Sequence, residues 1–176
     1  MMVRRLSLLL GLGLLVSLLP LTARAQDKIE LFGGYSFMRV DATPTLNPGS
    51  GDFNLNGWEA SGQYKLKDWL GVVGDFDGHS GSPLGVSTSI HTFLFGPQIS
   101  WPTRVSPFAH VLVGGAHIST GPYSNSSLSL AIGGGIDTRL VDHIYWRIIE
   151  GDYLFTRFFG NAQNNVRAST GIVFKF

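Results

Sequence analysis

Five histidines and no cysteine bound the chemistry open to this 176-residue chain. Without thiols, disulfides and thiolate catalysis are excluded. Hydrolysis by a serine nucleophile needs a histidine beside the hydroxyl and an acid that orients the ring. The candidates are His79 with its neighbour Ser80, then His91, His110 and His117. His79-Ser80 sits in Asp77-Gly78-His79-Ser80-Gly81-Ser82, which reads as a flexible polar loop. Asp75, Asp77 and His79 share one face of a strand but line up along it, whereas a cation needs ligands that converge. Gly133-Gly134-Gly135 is followed by no helix pattern, so it is no phosphate cradle. These glycines read instead as places where strands bend or neighbouring side chains fill space. No catalytic residue, cofactor or metal site is expected.

The elements that would position these residues are strands. The chain holds 23 glycines and 12% aromatics, few charges and no long helical period, an all-β composition. Eight alternating segments cover residues 29–39, 55–66, 69–78, 88–101, 107–119, 128–140, 144–155 and 166–176. Side chains on a strand point to opposite faces in turn, so each segment has two readable faces. In the first, Tyr35 and Phe37 share the apolar face. In the second, Trp58, Ala60, Gly62, Tyr64 and Leu66 oppose Glu59, Ser61, Gln63 and Lys65. In the fourth, Phe93, Phe95 and Trp101 oppose Thr92, Gln98 and Ser100. The fifth is apolar on both faces and its facing stays open.

The charged set mostly avoids the apolar faces. Glu59, Gln63, Lys65, Asp75, Asp77, Asp137, Arg139, Arg147 and Arg167 are expected to form an ion-paired polar plug inside a narrow barrel. Tyr35, Phe37, Trp58, Tyr64, Phe93, Phe95 and Trp101 are expected on the outside, against lipid or at its interfaces. Arg147 is out of phase with Glu150 and Asp152, which calls for one inserted residue near 148–151, a β-bulge that Gly151 could host.

Both ends point to a membrane. Arg4 and Arg5, an apolar run over 6–19 and Ala23-Arg24-Ala25 have the three parts of a signal peptide, so residues 1–25 are expected to be removed and 26–176 to form one domain. Ten Lys and Arg then face twelve acids, a net charge of −2 that recruits no nucleic acid. The closing stretch 166–176 alternates down to two aromatics, Phe174 and Phe176. Connections alternate between short (67–68, 102–104, 141–143) and long (40–54, 79–87, 120–127, 156–165), the rhythm of outer-membrane barrels with both termini on the short-turn side.

The closing stretch resembles the carboxy-terminal signal of bacterial outer-membrane barrels, with Ser169, Gly171, Phe174 and Phe176 at the matching positions. With Gly33-Gly34-Tyr35 and the strand–loop rhythm, the whole mature chain resembles the small eight-stranded barrels of the OmpA transmembrane-domain and OmpX-like kind. The resemblance implies a closed eight-stranded antiparallel up-and-down transmembrane β-barrel in the outer membrane. It also implies contact with outer-membrane lipid and lipopolysaccharide, delivery by periplasmic chaperones and the barrel assembly machinery, and a monomer. With nothing read after Phe176, the peptidoglycan-binding domain of full-length OmpA is expected to be absent. The expected role is structural or surface-interacting, with no general porin activity. Two alternatives belong to other classes. A lipocalin-like soluble carrier would put the apolar face inside. A lipid A-modifying barrel enzyme resembles the chain in size, but that deacylase family pairs His and Ser in a late strand, and no His follows His143.

Overall fold

Eight antiparallel strands follow one another around a closed barrel in the computed structural model, which describes residues 28–41 and 52–176. They are β1 (Ile29–Val40), β2 (Phe53–Lys67), β3 (Leu70–Gly81), β4 (Thr88–Ser100), β5 (Val105–Thr120), β6 (Tyr123–Val141), β7 (Ile144–Thr156) and β8 (Gln163–Lys175). Every consecutive pair is hydrogen-bonded, and β1 pairs with β8 to close the circle. Closure leaves no free edge, so every backbone donor and acceptor of the wall has a neighbour. Phe176 lies just past β8 and still joins the seam: its N–H donates to Ile29 O at 2.8 Å, and Ile29 N–H donates back at 3.1 Å. The expected signal segment and most of the first long connection lie outside the described residues.

The two faces of the wall differ in kind. Outside are Tyr35, Trp58, Tyr64, Phe93, Phe95 and Trp101, each about half exposed, with Phe37 half-buried on the same face. Phe76 and Phe93 face each other across β3 and β4, with ring centroids 4.6 Å apart. The polar tips of wall aromatics are satisfied locally: Tyr153 OH donates to Asn164 at 2.6 Å, and Trp146 Nε1 donates to Thr170 at 3.2 Å. An apolar wall of this extent is stable against acyl chains and not against water. The charged face turns inward. This is the reverse of a soluble carrier, whose cavity takes the apolar face, so the lipocalin-like alternative fails on facing.

β5, unreadable in sequence, is resolved by its partners. Ser106, Phe108, His110, Leu112, Ala116 and Ile118 point inward; Val105, Ala109, Val111 and Val113 point outward. It is apolar on both faces because its inner face serves a partly apolar interior.

The bulge is present, but Gly151 does not carry it. Ile136 faces Ile149 and Asp137 faces Arg147, leaving Ile148 as the extra residue. The shift brings Arg147, Glu150 and Asp152 all inside. The Thr170 hydroxyl donates to Arg147 O at 2.9 Å, taking up a carbonyl at the disrupted ladder.

Four expectations change. Residues 120–127 are not a loop: β5 and β6 run on to Thr120 and Tyr123, joined by a tight turn at Gly121, whose φ of +56° suits glycine. The alternation is invisible there because both faces of Tyr123-Ser124-Asn125-Ser126-Ser127 are polar. His79 is in β3, buried, and not in a flexible loop. Arg139 is not in the plug; it lies exposed at the short-turn rim and pairs with Asp142, because the ladder shifts after Arg139 and the interior ends at Asp137. Finally, the interior is not polar throughout. Its long-loop half is largely apolar, built from Met38, Val40, Leu55, Ile90, Leu94, Leu112, Ile118 and Leu154 around a few hydrogen-bonded polar groups such as Thr156 and Asn165, and Phe158 from a short 3-10 turn packs against it.

Candidate functional site

Among the described residues, the interior is where chemistry-bearing groups from most strands gather, and one side chain organises it. Arg167, on β8, is fully buried. Its Nε and Nη2 donate to Asp152 Oδ2 on β7 at 2.9 and 2.7 Å. Its Nη1 donates to Asp75 Oδ1 on β3 at 2.8 Å and to Asp77. Glu59 on β2 lies 3.6 Å from Nε and is bonded by the Ser169 hydroxyl at 2.5 Å. A guanidinium stays charged in a protein and offers five donors in a planar fork, so it can hold several carboxylates that would otherwise repel.

A second layer lies toward the short turns. Arg147 Nε donates to Asp137 at 2.9 Å and Nη1 donates to Glu150 Oε2 at 2.7 Å. Its guanidinium is sandwiched between the rings of Phe32 and Phe108, 4.2 and 4.3 Å from their centroids. Such stacking contributes about 0.5–2 kcal/mol per ring, more where water is excluded. At the rim, Lys65 and Lys175 bracket Glu30 at 2.5 and 3.0 Å. Gln98 donates to Gln63 at 3.1 Å. A cavity of about 580 Å³ opens to this side, lined by Glu30, Lys65, Ser106, Phe108, Asp137 and Lys175 among others. Its floor is the Phe108 ring beneath which Arg147 is stacked.

The expected plug residues therefore fall into place as follows. Glu59, Asp75, Asp77 and Arg167 form the central layer; Asp137 and Arg147 the second; Gln63 and Lys65 the rim. Arg139 reaches only the mouth of the short-turn cavity, exposed and paired with Asp142. Sequence reading placed Glu150 and Asp152 inward, His79 on one strand face with Asp75 and Asp77, and Glu30 and Ser36 opposite the apolar face of the first strand, all of which are buried; it left His110 open with the rest of its segment. Phase alone could have found His110, since it shares a strand face with Phe108 and Leu112.

One hidden constellation has the connectivity of a hydrolytic triad. His79 Nδ1 lies 3.2 Å from Asp77 Oδ1 and Nε2 lies 2.9 Å from Ser36 Oγ. The serine is Ser36 on β1, 43 residues away in sequence, not the adjacent Ser80. Ser36 Oγ also lies 2.8 Å from Ser169 Oγ, and Asp77 is shared with Arg167 and Thr92. Nucleophilic attack needs a carbonyl about 3 Å from the hydroxyl and donors aimed at its oxyanion. Ser36 and His79 are sealed beneath Met38, Val40, Leu55 and Ile90, so this arrangement works as a hydrogen-bonded tie between β1 and β3.

The triple glycine has a definite task. Gly133 on β6 lies between His110 on β5 and Asp152 on β7. A Cβ at Gly133 would sit 1.9 Å from Asp152 Oδ1. Its absence lets His110 Nε2 reach Asp152 Oδ1 at 2.7 Å across an intervening strand.

Removing the central cation leaves buried carboxylates uncompensated, which typically costs about 3–5 kcal/mol. Arg167→Met is expected to lower the unfolding free energy in micelles by roughly that amount, while Asp75→Asn, which keeps a polar partner, costs clearly less. Equal, small losses in both variants on urea titration would show that Arg167 does not organise the interior.

No protein-family model matches the chain, and no curated protein matches it. Solved structures do. Neisserial surface protein A (NspA) superposes with a TM-score of 0.67 at 13% identity, over 85% of this chain and 97% of that one. Ail, the attachment invasion locus protein of Yersinia pestis, gives 0.55 at 19% identity, over 85% and 100%. The N-terminal β-barrel domain of Pseudomonas aeruginosa OprF gives 0.50 at 14% identity, over 85% and 98%. Another Ail structure, at 0.51 and 18% identity over 83% and 97%, is a complex with the heparin analogue sucrose octasulfate. At such identities the likeness is one of fold: this chain has the closed eight-stranded barrel architecture of the small outer-membrane barrels.

Proposed function

We propose that this protein is a bacterial outer-membrane barrel with a structural and surface-interaction role, neither a solute channel nor an enzyme. One observation carries the reading: the interior is occupied from the Arg147 layer through the Arg167 layer to the apolar seal at Phe158. An eight-stranded barrel is just wide enough for side chains to fill, which supports a narrow, plugged lumen. The wall outside is apolar and aromatic, suited to outer-membrane lipid and lipopolysaccharide acyl chains. What remains for a partner is the long-loop side. There β5 and β6, with 16 and 19 residues, exceed the roughly 9–11 residues that cross a bilayer. Their shared tip presents Tyr123 among serines and an asparagine, a neutral hydrogen-bonding surface. The sulfated ligand seen on Ail is a precedent for recognition on this fold, but a polyanion has no cationic patch to meet at this tip.

Two measurements test the closed interior. In planar bilayers the purified barrel is expected to give no steady conductance, and a fluorophosphonate probe is expected to leave Ser36 unlabelled. Large stable current steps, or an adduct on Ser36, would contradict the reading.

The closing segment is proposed to be read by the barrel assembly machinery as the chain leaves its periplasmic chaperones, the mature form being a monomer. The Phe176 side chain is exposed while its backbone is bonded into the seam. Phe176→Ala, which keeps those backbone bonds, is therefore expected to refold normally in micelles yet insert poorly in cells. Normal insertion, or an equal loss in both settings, refutes a recognition role.

A further inference from the structure

We propose that His110 and Glu150, backed by Asp152, form an interior site for a divalent first-row cation such as Zn²⁺. His110 is buried among the interior groups, and its Nδ1 has no hydrogen-bond partner. Its other nitrogen, Nε2, lies 2.7 Å from Asp152 Oδ1, and Asp152 is itself held by Arg167. With Nε2–H donated to that carboxylate, Nδ1 presents a bare lone pair to the interior. This is the carboxylate–imidazole arrangement that orients and strengthens a histidine metal ligand. Glu150 Oε1 lies 3.8 Å from Nδ1, while Oε2 of the same carboxylate accepts Arg147. One cation with ligand distances of about 2.0–2.2 Å bridges such a gap. A ligand atom from each of His110, Glu150 and Asp152 lies within 4.8 Å of the others.

Charge favours occupancy. Seven carboxylates of the described residues, Glu30, Glu59, Asp75, Asp77, Asp137, Glu150 and Asp152, are buried inside, against four cations, Lys65, Arg147, Arg167 and Lys175. A divalent ion offsets most of that excess. Imidazole with carboxylate suits zinc or copper better than calcium or magnesium, which prefer all-oxygen shells. The short-turn cavity reaches Phe108, which lies two residues before His110 on the same strand face. Two strands separated by Gly133 supply the ligands, which is why no single-strand spacing announces the site.

The test uses tag-free full-length barrel refolded in detergent micelles, stripped with chelator and titrated with Zn²⁺ by calorimetry. One ion per chain is expected. His110→Gln is expected to weaken binding at least tenfold, while His91→Gln, on the outer wall opposite His117, leaves it unchanged. Zinc X-ray absorption on the wild-type chain reads the shell without any variant, so a failure of His110→Gln to fold does not stall the question: one imidazole among oxygens supports the site. No binding to the folded wild type, loss of binding in His91→Gln, or a shell of two imidazoles overturns it.

Discussion

A buried guanidinium that cannot give up its proton must be matched, and the barrel is arranged so that matching Arg167 requires nearly every layer to be in register. Its partners come from β2, β3 and β7, while it stands on β8. None of β2 or β3 is a neighbour of β8 in the wall, so these bonds span the bore. They form only once the circle has closed. Ion pairs of this kind are weak evidence for net stability, since well-packed apolar groups can do as well. What they supply here is a penalty on wrong register: a one-residue slip of β8 sends Arg167 to the lipid face, at about 2–4 kcal/mol for a cation at the midplane, and leaves its partners on β2, β3 and β7 uncompensated.

The same constraint explains the irregularities around it. The extra residue at Ile148 restores phase so that Arg147 joins Glu150 and Asp152 inside. Gly133 withholds a side chain so that β5 and β7 can touch across β6. Phe32 and Phe108 sandwich Arg147 beside the short-turn cavity. On the other side, the polar network gives way to a largely apolar layer capped by Phe158.

Much of this was legible because lipid enforces period two on the outer wall. β2 and β8 read cleanly: Trp58, Tyr64, Phe174 and Phe176 outside, Glu59, Lys65, Arg167 and Lys175 inside. Reading failed where that contrast vanishes. β5 has apolar residues on both faces because its inner face serves the apolar cap. The start of β6 has polar residues on both faces because it runs past its pairing with β7, which begins at Ser129, and meets only β5. Glycines around His79 suggested a loop, yet Gly78 and Gly81 are strand residues packed against Trp58 and Leu55. The interior constellations were hidden for a different reason. Ser36–His79–Asp77 and His110–Glu150–Asp152 each join two strands across the one between them, 43 and 42 residues apart, so no spacing within a strand announces them.

The central claim is a lipid-facing wall around a filled interior, and β5 tests it best because its sequence is silent on facing. The chain has no cysteine, so single cysteines carrying spin labels can be placed one at a time over residues 107–117 in lipid bilayers. Labels at Ala109, Val111 and Val113 are expected to collide with dissolved oxygen and to be shielded from a water-soluble nickel chelate. Labels at Phe108, His110 and Leu112 are expected to be immobilised and shielded from both. Nickel-chelate accessibility along the outer positions, or oxygen accessibility at the inner ones, would contradict the account.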